Sequence, residues 1–311
     1  MKSLRTIIVV LSLAASTGLY AVSSFFELSA GGGWSTLGYR LSNETQPGLS
    51  ARQAGSYGLN VHAGYGLQFT RLIGVGVGVD LSRYGSASVL KGEARWTHVM
   101  DTEGEAYDHI TATQGWTDQQ EIYMVEVPLS LYLRFPVAQY TRLYAQAGVK
   151  ACVPIMNSGQ YSGKLEHQGV YEPWGLKLTD VPNHGFYHSS MEGKYDFETK
   201  ITAAAFVKFG IEGAVSDNHI VWLYGAIYGT FHFMPAVTMT EMNKSIGWRN
   251  DSPDDAMRNA HSFMTDYSSI LQTNMISGKT LPMAFGAEIG VRFRIPHMKV
   301  KSHKCRCEDL E

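Results

Sequence analysis

The chain has 311 residues, of which 44 % are apolar and only 17 % charged, with 32 Gly, 17 Tyr, 13 Phe and 6 Trp. Its formal net charge of −2, without a clustered basic run, argues against a nucleic-acid partner, which needs a concentrated positive surface. Three cysteines (Cys152, Cys305 and Cys307) do not make a disulfide framework, and no apolar run reaches the ~18 to 20 residues of a transmembrane helix.

Residues 1–21 read as a cleaved secretory signal. Lys2 and Arg5 form a basic start, Thr6 to Ala15 an apolar core, and Ala21 the last residue before cleavage. The core is too short to span a bilayer, and no Cys lies near the cleavage point to carry a lipid. Residues 22–296 are expected to form the body of the protein, and 297–311 a charged periplasmic tail.

From there, alternation at period two dominates. Phe26, Leu28, Ala30 and Trp34 form the least regular run, with Glu27 and Ser29 opposite. Tyr57, Leu59, Val61, Ala63, Tyr65, Leu67 and Phe69 alternate with polar or small residues, among them His62. Ile73, Val75, Val77, Val79 and Leu81 repeat the pattern against Gly74, Gly76, Gly78 and Asp80. Further runs follow near 123–135, 143–155, 199–215, 220–236 and 281–295. Successive strand side chains point to opposite faces, so each run has one greasy and one polar face. That makes eight strands.

Short connections at 70–72, 136–141 and 216–219 alternate with long ones near 41–54, 87–118, 158–198 and 237–279. Outer-membrane barrels show this asymmetry, with short periplasmic turns and long extracellular loops. The expected fold is therefore all-β: a transmembrane antiparallel up-and-down β-barrel of about eight strands. A soluble sandwich or lipocalin-like barrel also alternates, with its apolar face inward. Strands of about 13 to 16 residues, and bulky or charged residues deep in the polar face, favour the membrane barrel.

An eight-stranded lumen is just wide enough for side chains. Its charges would be Glu27, Asp80, Glu126, Glu212 and Glu288 against Arg134, Lys150, Lys208, Arg292 and Arg294, five of each sign. Unpaired buried charges are costly, so the ten are expected to pair into a closed plug rather than line a pore. Gly74, Gly76 and Gly78 are expected to face the lumen and make room for larger neighbours.

Glu288, Gly290, Phe293 and Ile295 follow the order polar, Gly, apolar, apolar on the last strand. This resembles the insertion signal read by the barrel-assembly machinery. Such signals usually end the chain, whereas 16 residues follow here. Val125-Glu-Val-Pro128-Leu-Ser-Leu, with Leu143-Tyr-Ala-Gln-Ala-Gly148-Val, resembles the outer-membrane β-barrel domain common in Bacteroidetes, which includes PorT-like and OmpX-like barrels. The resemblance implies an integral barrel in the cell outer membrane and offers no catalytic residues. PorT-like membership would make a secretion system one partner. Pro128 suits a strand only where its missing N–H falls at a bulge or an edge.

The loops hold His98, Asp101, Glu103, Asp108 and His109 in one stretch and His167, His184 and His188 in another. No spacing matches a metal motif, so solvated histidines are expected, with no cofactor and no catalysis. A lipid-modifying enzyme is the alternative reading, and a narrow pore a weaker one. Tyr161, Tyr171, Trp174, Phe186, Tyr187 and Tyr195 form an aromatic loop suited either to a partner or to packing on itself. Ser252-Pro253-Asp254-Asp255 would start an amphipathic helix over the barrel mouth. The expected role is structural: a rigid barrel, surrounded by outer-membrane lipid, that offers extracellular loops or its tail to a protein partner.

Overall fold

A face shared by every second residue can be satisfied only if its strand separates two environments. A computed structural model describes residues 23–41, 49–70, 72–101, 103–182, 186–215, 219–238, 269–272 and 276–296. Eight long strands form. They are β1 (Ser23–Thr36), β2 (Leu49–Gln68), β3 (Ile73–Met100), β4 (Ala106–Ala138), β5 (Thr141–Tyr171), β6 (Thr202–Ala214), β7 (Val221–His232) and β8 (Met283–Pro296). Each pairs antiparallel with its neighbour in sequence. β1 also pairs with β8, from Ser23↔Pro296 to Thr36↔Met283, so the sheet closes into a ring.

Closure removes the sheet edges that a bilayer cannot solvate. The outer face carries exposed Phe26, Leu28, Val61, Val77, Val79, Leu129, Leu131, Val149, Phe209, Ile227 and Ile289. Aromatic residues bound this belt: Trp34, Tyr57, Phe231 and Phe285 towards the long loops, Phe26, Phe135, Tyr140 and Phe293 towards the short turns. Phe26 and Trp34 are eight residues apart, roughly 26 Å of strand at ~3.3 Å per residue and roughly 20 Å along the membrane normal at a tilt of ~40°, a little under the ~25 Å apolar band of such barrels. With the charged residues inside, this is a transmembrane up-and-down β-barrel.

Two of the long connections are not loops. Residues 87–118 continue β3 and β4 as a paired hairpin, and much of 158–198 is the end of β5 with two added strands, His188–Tyr195 and Leu176–Leu178. Their alternation is illegible for a physical reason. Outside lipid no face must be apolar, and register shifts between Leu90/Glu93 and between Trp96/Val99 break the period. His98 takes φ 59° at the second shift.

Pro128 corrects another expectation. The β3–β4 register is the same on both sides of it, with Val77↔Leu129 and Asp80↔Glu126, so there is no bulge. The ladder simply omits the Gly78 and Val79 positions opposite Pro128 and Val127, while Pro128 keeps its pairing with Lys150 on β5. The proposed signal, the tail with Cys305 and Cys307, and the helix after Ser252 lie outside the described residues.

Candidate functional site

Nine of the ten predicted lumen charges are buried inside the barrel, from its middle to its periplasmic end; Arg294 is only half-buried, at that end. They form a chain of ion pairs. Arg292 binds Glu27 at 2.8 Å and also binds Glu212. Glu27 receives the Nε2 of His62 at 3.0 Å, and the Nδ1 of the same ring meets Asp80. Lys150 then spans Asp80 at 2.6 Å and Glu126 at 2.7 Å. Asp80 and Glu126 sit directly opposite each other on β3 and β4, a repulsive pairing that Lys150 resolves. Arg134 approaches Glu212 at 3.7 Å, and Lys208 holds Glu288 separately at 2.8 Å.

His62 was not among the predicted charges, because a histidine counts as neutral in composition. With a carboxylate at each ring nitrogen it satisfies both as the doubly protonated imidazolium. It then supplies the fifth interior cation. Arg294 makes no ion pair among the described residues, which corrects its assignment to the network. The signal for His62 was present, since it lies on the polar face of its strand. The glycine column works as steric relief. A side chain at Gly76 would meet the Tyr132 ring at 2.6 Å, and one at Gly78 would meet His62 at 2.6 Å.

Above the charges the lumen turns apolar. Leu37, Tyr39, Leu90, Trp116, Ile122, Met124, Ile270 and Leu271 pack together, almost fully buried, across the extracellular mouth. Asp118 anchors this lid: its carboxylate accepts the Ile270 backbone N–H at 2.8 Å and the Tyr195 hydroxyl at 2.5 Å. The Tyr39 hydroxyl donates to Gln120 at 2.8 Å. Nothing in the sequence spacing linked Asp118 to Ile270, 152 positions away.

Beyond the mouth, β3, β4 and β5 run on as a sheet. At its tip Val99, Tyr107, Tyr171 and Phe186 form a second core, with Trp96, Leu178 and Val181 against it. The expectation of solvated histidines fails for His109 and His167, which are buried among these rings, and holds for exposed His98 and His188; His184 lies outside the described residues. Burial pushes His109 down to about 4. Tyr107 stacks on Tyr171 at 5.2 Å, and Trp174 stacks outside Tyr171 at 5.5 Å. The aromatic segment therefore packs largely on itself, leaving Trp174 exposed. Asp101 caps the hairpin turn, accepting the backbone N–H groups of Glu103 and Glu105 at 2.9 and 2.8 Å, and these bonds hold its carboxyl below the usual carboxylate range.

Glu126, Cys152 and His232 bring donor atoms within 4.8 Å of one another. The carboxylate is already committed to Lys150 and to the Tyr84 hydroxyl, both at 2.7 Å. A zinc-like ion there would have to displace the ammonium. The hydroxyl–imidazole pairs Thr111–His167 and Thr202–His232 are both buried, away from any surface a substrate could reach. Of the last-strand motif, Glu288 faces the lumen beside Lys208, and Phe293 and Ile295 face outward.

No family model matches the chain, and no curated protein matches it. Among solved structures it is similar to Neisserial surface protein A (10 % identity over 88 % of this chain and 98 % of that one, TM-score 0.36). It is also similar to the outer membrane protein OprG of Pseudomonas aeruginosa (9 %, 89 % and 98 %, TM-score 0.35) and to CarO2 of Acinetobacter baumannii (13 %, 89 % and 100 %, TM-score 0.30). The architecture stated above rests on the strand register and the belt, not on these distant likenesses.

Proposed function

We propose that this protein is a closed outer-membrane barrel that holds a rigid β-sheet outside the cell for a protein partner. One observation carries the reading: β3, β4 and β5 have 28, 33 and 31 residues, whereas β7 crosses with 12. A crossing needs about 9 to 11 residues, so the surplus projects roughly 50 Å beyond the membrane. With His188–Tyr195 beside β5, the projection is four strands across, roughly 20 Å wide. With three strands over its length and a fourth over eight residues, a face of roughly 850 Å² meets the ~800 Å² per partner of a standard interface. Two shallow depressions of 390 and 680 Å³ lie on it, sharing Ser162 and Glu192.

The ion-pair chain and the apolar lid support a non-conducting lumen, and the buried hydroxyl–imidazole pairs favour a non-catalytic role. Lipid around the belt and the assembly machinery acting on the last strand are the remaining partners in this reading. The resemblance to PorT-like barrels makes a secretion-system component one partner to test.

The test is photo-crosslinking from residues 114, 162 and 192 in intact cells, compared with a deletion of residues 93–112, which removes the hairpin tip and keeps all three positions. A discrete adduct that the deletion abolishes, while the barrel still resists cold SDS, is the expected result. Absence of any adduct from all three sites would refute the interaction role. Conductance steps in a planar bilayer would refute the closed lumen.

A further inference from the structure

At the periplasmic end the charge balance breaks. A cavity of about 460 Å³ opens below the ion-pair chain, lined by Arg134, Arg142, Arg292, Arg294, Glu212 and Trp222 among others. Among the described residues, four guanidinium groups line it against one carboxylate. Arg292 is already matched by Glu27, yet Glu212 is shared by Arg292, by Arg134 at 3.7 Å and by Arg142 at 3.8 Å. Arg294 has no carboxylate at all among the described residues.

The hydrogen-bond inventory points the same way. Arg134 is 95 % buried, stacked 4.1 Å over Phe25, with one nitrogen on Gln68. Its Nε and Nη2 are buried and donate no hydrogen bond among the described residues. Arg142 lies 3.9 Å over the Trp222 ring, which fixes its plane and leaves its side chain 29 % exposed at the rim. Water could accept from the idle donors but would leave the surplus positive charge in place. A doubly charged tetrahedral oxyanion does both, because planar guanidinium forks match its oxygens two at a time.

We propose that this mouth is a phosphate-binding site, with Arg134 and Arg142 as the principal ligands and Arg294 supplying further charge. The shared chemistry is a phosphate group, and two sources present it to the periplasmic rim: the headgroup of an anionic phospholipid in the adjoining leaflet, and free phosphate. Trp222 and Phe25 hold the forks flat; Glu212 sets their spacing and limits the site to one anion.

The test uses the full-length protein folded in an uncharged detergent. Inorganic phosphate is titrated calorimetrically, and short-chain phosphatidylglycerol is titrated separately with phosphatidylcholine as control. Saturable binding of phosphate alone assigns the site to the free ion. Saturable binding of phosphatidylglycerol, competed by phosphate, assigns it to the lipid. Either affinity is expected to fall roughly tenfold or more in Arg142→Gln and in Arg134→Gln, each checked for the folded band in cold SDS. Because Arg142 is partly exposed, its variant keeps the test decisive if Arg134→Gln does not fold. No saturable binding of either probe, or binding unchanged in Arg142→Gln, overturns the proposal.

Discussion

Arg292 grips Glu27 with two nitrogens, Nε at 3.1 Å and Nη2 at 2.8 Å, across the seam where the first and last strands meet. The two residues are directly opposite in register and 265 positions apart in sequence, so the bond exists only once the ring has closed. The same guanidinium also holds Glu212, which makes it the junction of the lumen network.

Removing that junction strands two buried carboxylates. Arg292→Met is expected to destabilise the barrel by about 3 to 5 kcal/mol, the range for breaking a buried pair from one side. Glu27→Gln with Arg292→Met should recover part of that loss. Urea unfolding in detergent, read by the shift between folded and unfolded gel bands, measures both. Equal loss in the single and double variants would show that the pair does not act as a unit.

Gly76 and Gly78 test the packing of the lumen. Valine suits a strand by propensity, worth under ~1 kcal/mol. At these two positions it would drive a methyl-bearing carbon into Tyr132 or His62, and crowding of this kind typically costs about 1 to 3 kcal/mol. Gly78→Val should therefore lower the unfolding midpoint, whereas Val79→Thr on the lipid side of the next residue should leave the His62 contacts intact. A neutral Gly78→Val would place the glycine outside the packed interior.

The tip of the extracellular sheet should loosen in acid. His109 is held neutral in the folded sheet, with its value pushed down from 6.5 to about 4 by burial. Between those limits the opened form binds the extra proton, so stability is full above about pH 6.5 and falls as pH drops towards 4. Protease nicking within residues 96–110 is expected to be roughly tenfold faster at pH 5 than at pH 7. His109→Phe, which keeps a ring among Trp96, Tyr107 and Phe186, should remove that difference. A pH dependence that survives the substitution would point to another group.

Cys152 lies at 0 % exposure beside Glu126 in the lumen. In a Cys305→Ser, Cys307→Ser background, a maleimide should leave the folded protein unlabelled and react fully after boiling in SDS. Labelling of the folded form within minutes would mean that the lumen admits solutes of that size, contrary to the sealed interior.

What was legible beforehand follows from where lipid acts. From Tyr57 to Leu81 the bilayer forces one face to be apolar, so period two survives in the sequence and locates each crossing. The interior charges were visible for the same reason: Asp80 and Lys150 stand out on otherwise small or polar faces. From Leu90 to Asp118 the strands leave the lipid, so the outward face need no longer be apolar at every second residue, and bulges shift the register, so a paired hairpin reads as a loop.

Eight crossings, their in–out sense and the sign of the lumen residues were thus written in the chain itself, because a local alternation records a local solvent. Which charges pair was not. Glu27 finds Arg292, Asp118 finds Ile270, and Arg294 is left over only when strands distant in sequence are set side by side at one register. Closure of the ring converts a list of ten charges into a neutral chain with a positive remainder at the periplasmic mouth, and that remainder is a property of the tertiary structure alone.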